Sequence, residues 1–175
     1  TWGYADDGGD SSVVASQLNG TVDVTQIFST GYAFAALRAD GSVVTWGGSA
    51  AGGDSSTVAS QLNGTVDVTQ VFSTTHAFAA LRADGSVVTW GKAVYDGGDS
   101  SAVASQLDGT VDVTQIFSTY SAFAALRADF LRVRFERSEL VLEDHLGVVQ
   151  QAADQRALAV VDAAAGDEAQ QALVL

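Results

Sequence analysis

The sequence repeats itself almost residue for residue. Thr1-Trp2-Gly3, Thr45-Trp46-Gly47 and Thr89-Trp90-Gly91 open three copies of one segment, at a period of 44 residues. Between Gly8–Val44 and Gly52–Val88 the first two copies differ only at Val13/Thr57, Ile27/Val71, Gly31/Thr75 and Tyr32/His76. The third copy carries one extra residue within Lys92 to Asp96. A period of this size specifies a solenoid, a propeller or an array before any local pattern is considered. It also points toward a binding scaffold, because repeats hold variable loops on a constant frame.

Within one copy the pattern is that of short antiparallel strands. In the second copy, Thr69 to Ser73, Ala77 to Arg82 and Ser86 to Trp90 are β-branched and aromatic runs. Asp84-Gly85 predicts a two-residue hairpin turn, since glycine accepts positive φ. Thr57 to Leu62 reads as a fourth, less regular strand, and Asn63-Gly64 as another tight turn. Three or four such strands in one repeat make a propeller blade. The predicted fold is all-β: an incomplete β-propeller of about three blades over 1–129 (1–44, 45–88 and a truncated 89–129), followed by an α-rich tail over 130–175.

The stretch Val68 to Gly91 resembles the repeat of the regulator of chromosome condensation family, V-x-x-I-A-x-G-x-x-H-S-x-A-L-x-x-D-G-x-V-x-x-W-G. Val68, Val71, Ala80, Leu81, Asp84, Gly85, Val87, Trp90 and Gly91 match it. So do Val24, Ile27, Ala36, Leu37, Asp40, Gly41, Val43, Trp46 and Gly47. The short repeat is most similar to the bacterial branch, which includes a propeller-type inhibitor of β-lactamase. The resemblance covers residues 1–129 and implies a protein-binding propeller. Thr30, Thr74 and Thr119 stand where the family has glycine, and Ala33, Ala77 and Ala122 where it has histidine. These departures, with three copies that cannot close a ring, weaken any carry-over of nucleotide exchange on a small GTPase.

The repeat breaks after Ala128-Asp129. Every Glu follows the break, and every Trp, Tyr and Thr precedes it. Leu131, Val133 and Phe135 alternate with charged residues and predict one strand. Leu142, Leu146, Val149, Ala153, Ala157, Val160 and Ala164 recur at helical spacing, with Ser138 as half a capping box and Gly166 as a stop. A second short helix is expected from Asp167 onward. Two readings of the tail stay open: a terminal cap covering the last repeat, or translation in a shifted reading frame. A start inside a repeat, with no Met, reads as a piece of something longer.

The net charge of −13 argues against nucleic acid and anionic membrane surfaces, both of which need clustered cations. There is no cysteine, so no disulfide framework or thiolate chemistry is available. Asp6, Asp7 and Asp10 crowd one Gly-rich loop and Asp96 and Asp99 its equivalent. The second copy keeps only Asp54, so solvated turns are favoured over calcium and no metal or cofactor is expected. Asn19-Gly20-Thr21 and Asn63-Gly64-Thr65 match a glycosylation acceptor, but Asp108 in the third copy favours turns. His76 and His145 lie in separate segments and make no base beside a nucleophile, so an enzyme is not expected. Trp46 and Trp90 could stack on a sugar, but the end of a core strand favours packing. Arg38, Arg82 and Arg127 precede Asp40, Asp84 and Asp129 by two residues, at the spacing of a local ion pair.

The copies differ most in two loop sets. One is Tyr4, Asp6 and Asp7, Ser49, and Lys92 and Tyr95, after the third strand. The other is Gly31 and Tyr32, Thr75 and His76, and Tyr120, between strands one and two. In an antiparallel meander both sets fall at one edge and the Asp-Gly turns at the other. These residues are the candidate contact surface for a protein partner, with self-association expected through the open blade edges. An extracellular or cell-surface protein is favoured. The alternatives are a carbohydrate- or calcium-binding adhesin module, and a truncated piece with no autonomous function.

Overall fold

The computed structural model describes residues 1–128 and the backbone of three strands, Arg132–Glu136, Glu139–Asp144 and Gly147–Gln151. The chain divides into two compact units, Thr1–Asp129 and Phe130–Leu175. In the first unit each repeat folds into an antiparallel meander. The first blade is β1 (Val24–Ser29), β2 (Ala33–Arg38) and β3 (Val43–Gly47). The second is β4 (Val68–Ser73), β5 (Ala77–Arg82) and β6 (Val87–Gly91). The third has only β7 (Val113–Ser118) and β8 (Phe123–Arg127). All these pairings are antiparallel. This is an incomplete β-propeller of three blades.

The strand periodicity of two explains the stacking. Ala33, Ala35 and Leu37 face the second blade, while Phe34 and Ala36 face away from it. Between the blades, the first contributes these residues and Val43. The second contributes Val68, Val71, Phe78, Val88 and Trp90, with Leu62 from the loop before it. Ala79 and Leu81 repeat the contact against Val113 and Ile116 of the third blade. Alanines along β2 and β5 leave no bulk between sheets, so the large side chains of the next blade fill the space.

Three expectations need correction. The predicted fourth strand over Thr57 to Leu62 is a 3-10 helix, Ser56–Gln61, with equivalents Ser12–Gln17 and Ser101–Gln106. The cause is local: the Asp54 carboxylate accepts the Ser56 N–H at 2.9 Å, which curls the chain before it can extend. Bonds from Val58 N–H to the Ser55 carbonyl and from Leu62 N–H to the Ala59 carbonyl continue the coil. Only a Ser42–Asn63 bridge remains of the fourth strand. Second, the Asp-Gly turn has three loop residues, not two. Arg38 N–H bonds the Ser42 carbonyl and Gly41 N–H the Arg38 carbonyl, leaving Ala39, Asp40 and Gly41 in the loop. Gly41 takes φ 72°, the left-handed residue that such a loop requires.

The third correction is the α-rich tail. β9 (Arg132–Glu136), where a strand is expected, continues into β10 (Glu139–Asp144) and β11 (Gly147–Gln151), in an antiparallel order β11-β10-β9. The spacing of Leu142, Leu146 and Val149 fits a helix, but short apolar runs fit both periods. Val141, Val148 and Val149 favour strands, and Gly147 disfavours a helix interior. Residues 152–175, with both predicted helix ends, lie outside the described residues.

Candidate functional site

One end of the blades is built from backbone hydrogen bonds. Gly31 N–H donates to the Thr75 carbonyl at 2.8 Å, and Thr75 N–H donates to the Tyr120 carbonyl at 3.0 Å, so the three hairpin tips form a ladder. Each tip is also tied to the loop after its own blade's third strand. Gly48 N–H donates to the Tyr32 carbonyl at 2.7 Å and Lys92 N–H to the His76 carbonyl at 3.0 Å. A Cβ on Gly48 would lie 3.2 Å from Tyr32 and 3.4 Å from the Asp6 carbonyl, which brings the first loop to the same edge.

Threonine hydroxyls hold these tips. Thr30 Oγ1 accepts the Ala33 N–H at 3.0 Å and donates to the Ala51 carbonyl at 3.1 Å. Thr74 does the same with Ala77 and Asp96, at 3.1 and 2.9 Å. One hydroxyl thus closes the hairpin tip and anchors the next loop. The spacing to Asp96 gives no hint of this contact.

On this frame sit the variable residues. The ring of Tyr32 stacks on that of His76, with centroids 5.3 Å apart and planes 17° from parallel. His76 Nδ1 lies 3.3 Å from Asp96 Oδ1, and Lys92 Nζ lies 3.1 Å from Asp96 Oδ2. Asp96 is buried. Burial pushes its carboxyl up, but hydrogen bonds from Lys92 and His76 and their charges outweigh this and hold it below the usual range. Asp96, set aside in the sequence as part of a solvated turn, is therefore the residue that organises this corner.

Tyr4, Asp6, Asp7, Gly31, Ser49, Lys92 and Tyr120 are exposed, and Thr75 is half-buried at the centre of the ladder. Tyr95 is 85% exposed and takes φ 70°. That left-handed conformation is costly for a tyrosine, and it arises where the third copy carries its extra residue. All four tyrosines of the chain belong to these two loop sets, and all are exposed. The Asp-Gly turns lie at the opposite end of the strands, where Arg38 and Arg82 pair with Asp40 and Asp84 at 3.5 Å each. Arg127 has its counterpart Asp129 outside the described residues.

The acidic loops are turn caps. Asp10, Asp54 and Asp99 accept from the backbone of Ser12, Ser56 and Ser101. Asn19, Asn63 and Asp108 do the same for Thr21, Thr65 and Thr110. Among the described residues no three acidic or imidazole groups converge as metal ligands, and no helix is long and apolar enough to cross a membrane. Trp46 and Trp90 are 2% exposed. Each Nε1 donates to a carbonyl of the preceding loop, Gly8 at 3.1 Å and Gly52 at 3.0 Å, so neither offers a face to a sugar.

The fold and the variable edge define an incomplete propeller of repeated blades with one side-chain-diverse loop face. No family model and no curated protein matches the chain. Among solved structures it is similar to the crystal structure of human WBSCR16, at 24% identity over 72% of this chain, with a TM-score of 0.42. The chain spans 35% of the length of that structure.

Proposed function

We propose that residues 1–129 are a non-enzymatic scaffold that binds a protein through the loop face of Tyr4, Tyr32, His76, Tyr95 and Tyr120. The observation that carries this reading is the segregation of all four tyrosines, exposed, to the edge where the copies diverge most. Tyrosine gives large contact area with few rotors to freeze, which is why interfaces enrich it. The stack on His76 and the Lys92–Asp96 pair hold part of this surface rigid before a partner arrives, which lowers the ordering cost of binding. His76 is held by Asp96 at its Nδ1 and by Tyr32 across its ring. The test is affinity capture from the native extract with the full chain and with a chain carrying Tyr4, Tyr32, Tyr95 and Tyr120 each changed to Ser. The reading expects a partner held by the first and lost from the second, with equal melting curves. A partner retained by the tyrosine-free chain would refute it.

A further inference from the structure

We infer that the free edge of β6 takes up an extended, cationic peptide as a fourth strand of its blade. The chain leaves that place open. The segment that would fill it coils into the 3-10 helix Ser101–Gln106, and among the described residues β6 pairs with β5 alone.

The alternation of an antiparallel pair decides which main-chain groups face outward. Arg82 N–H donates to the Ser86 carbonyl. Ala80 and Phe78 therefore exchange hydrogen bonds with Val88 and Trp90, and the main-chain groups of Val87 and Thr89 point away from β5. Val87 N–H is taken by the Leu107 carbonyl at 2.9 Å, while among the described residues the N–H and carbonyl of Thr89 have no partner. The first blade repeats this. Val43 N–H is taken by the Leu62 carbonyl at 2.9 Å, and Thr45 is left in the same state. An outward N–H and carbonyl on one strand residue match the carbonyl and N–H of one residue of an added strand, which is how extended peptides are recognised at sheet edges.

A groove follows this edge in both blades. At β6 it has a volume of about 570 Å³ and is lined by Val87, Val88 and Thr89, by residues of the 3-10 helices Ser56–Gln61 and Ser101–Gln106, and by Asp99 and Asp108. At β3 the equivalent groove, with Val43, Val44 and Thr45 along it, has a volume of about 360 Å³. Both are of the size in which ligands are held.

Charge selects the occupant. Arg82 also lines the groove at β6, but Asp84 pairs with it at 3.5 Å and offsets its charge. Asp99 and Asp108 remain, with the backbone N–H groups of Ser101 and Thr110 holding both carboxyls below the usual range. The residues lining this groove thus carry an excess of negative charge and suit a peptide with Lys or Arg. At β3, Asn63 stands where the third copy has Asp108, and Arg38 is paired with Asp40. A cationic strand therefore prefers β6.

The probe is a random peptide library displayed on phage and selected against the full chain, followed by synthesis of the strongest binder. Binders rich in Lys or Arg and in β-branched residues are expected, and their binding should slow amide hydrogen exchange at Thr89. N-methylation of one alternate set of the peptide's backbone nitrogens should weaken binding about tenfold or more, while the other set leaves it intact. Ala104 is exposed on the groove wall, so Ala104→Trp fills the groove with the fold intact, which circular dichroism checks, and should weaken binding as much. Asp108→Asn should weaken it about twofold to fivefold, as for an exposed ion pair. The tyrosine-free chain described above should bind the peptide normally, which separates this groove from the loop face. A library that yields no binder, binding that neither N-methylated set disturbs, or binding unchanged by Ala104→Trp overturns the inference. So does association of the chain with itself that Ala104→Trp abolishes, which would give the groove to a second copy.

Discussion

The three tryptophans occupy one motif in three environments, so replacing each by Ala weighs the packing of a blade directly. Trp90 lies in the interface between the first two blades. Trp46 lies in a separate cluster of the first blade, stacked on Phe34 and covered by Val14 of the 3-10 helix and by Leu18 just after it. Burying about 200 Å² of indole at about 25 cal/mol per Å² gives about 5 kcal/mol. A compact denatured chain lowers this to about 3–4 kcal/mol. The lost Nε1 hydrogen bond adds about 1 kcal/mol, and the loop over Trp46 collapses more easily than a neighbouring sheet. Trp90→Ala is therefore expected to cost about 4–5 kcal/mol, Trp46→Ala about 3–4, and Trp2→Ala less than about 0.5. Urea unfolding followed by far-ultraviolet circular dichroism at low protein concentration measures all three without relying on the deleted fluorophore. A cost below about 1 kcal/mol for Trp46→Ala, or one as large for Trp2→Ala as for Trp46→Ala, would refute the packing argument.

Three further outcomes are expected. Gly85→Ala forces positive φ and sets a Cβ 2.6 Å from Asp112 Cα, so it should cost about 2–4 kcal/mol. Gly20→Ala, with φ 85° and open space around it, should cost only about 1 kcal/mol, and thermal melts compare the two. The backbone N–H of Ser12, Ser56 and Ser101, and then their hydroxyls, hold Asp10, Asp54 and Asp99 below the ordinary value of 3.8. A lowered folded-state pKa gives stability that is full above 3.8 and lost as pH falls through the folded values. Changing all three to Asn should keep the caps and flatten the fall in Tm as pH drops below about 4. Lys92→Ala should raise the Asp96 carboxyl pKa, because burial then faces one cationic partner instead of two, and carboxyl NMR titration reads the change.

The strands were legible because each copy writes them with β-branched residues at period two and closes them with Asp-Gly. The stacking order was legible in part: a repeat of this length must bury its faces against its neighbours, and Trp46 and Trp90 are buried as their place in the strand implies. The 3-10 helices were not, since Asp-Ser-Ser starts a turn but the Val-Ala-Ser-Gln that follows has no hydrophobic period. Asp96 was missed because its partners Thr74 and His76 lie on the preceding hairpin, and a contact across a blade leaves no mark in local spacing.

Why the copies diverge at one end and not the other follows from how each end is fastened. At the Asp-Gly end, main-chain bonds from Val68 to the Gly41 carbonyl and from Val113 to the Gly85 carbonyl are joined by close approaches that depend on side chains and on their absence. Gly41 fits only because it has no Cβ to strike Asp67, and Gly64 lies directly against the Asp40 carbonyl. The Asp40 and Asp84 carboxylates each also bind the serine two residues on, at 2.6 Å. Replacing Gly41 or Gly64 forces a side chain into the contact between neighbouring elements, and replacing Asp40 or Asp84 loses the bond that closes its own turn, so the environment fixes their identity. At the other end the fasteners are main-chain bonds, Gly31 to Thr75, Thr75 to Tyr120, Gly48 to Tyr32 and Lys92 to His76. Such bonds are indifferent to the side chain that each residue carries. Glycine, tyrosine, threonine and histidine can exchange there with the frame unchanged, and the threonine hydroxyls at 30 and 74 hold the loops in register as they do. The loop end is thus a place in the repeat where the surface can be rewritten without loss of stacking, which is the physical requirement for a binding face on a repeated scaffold.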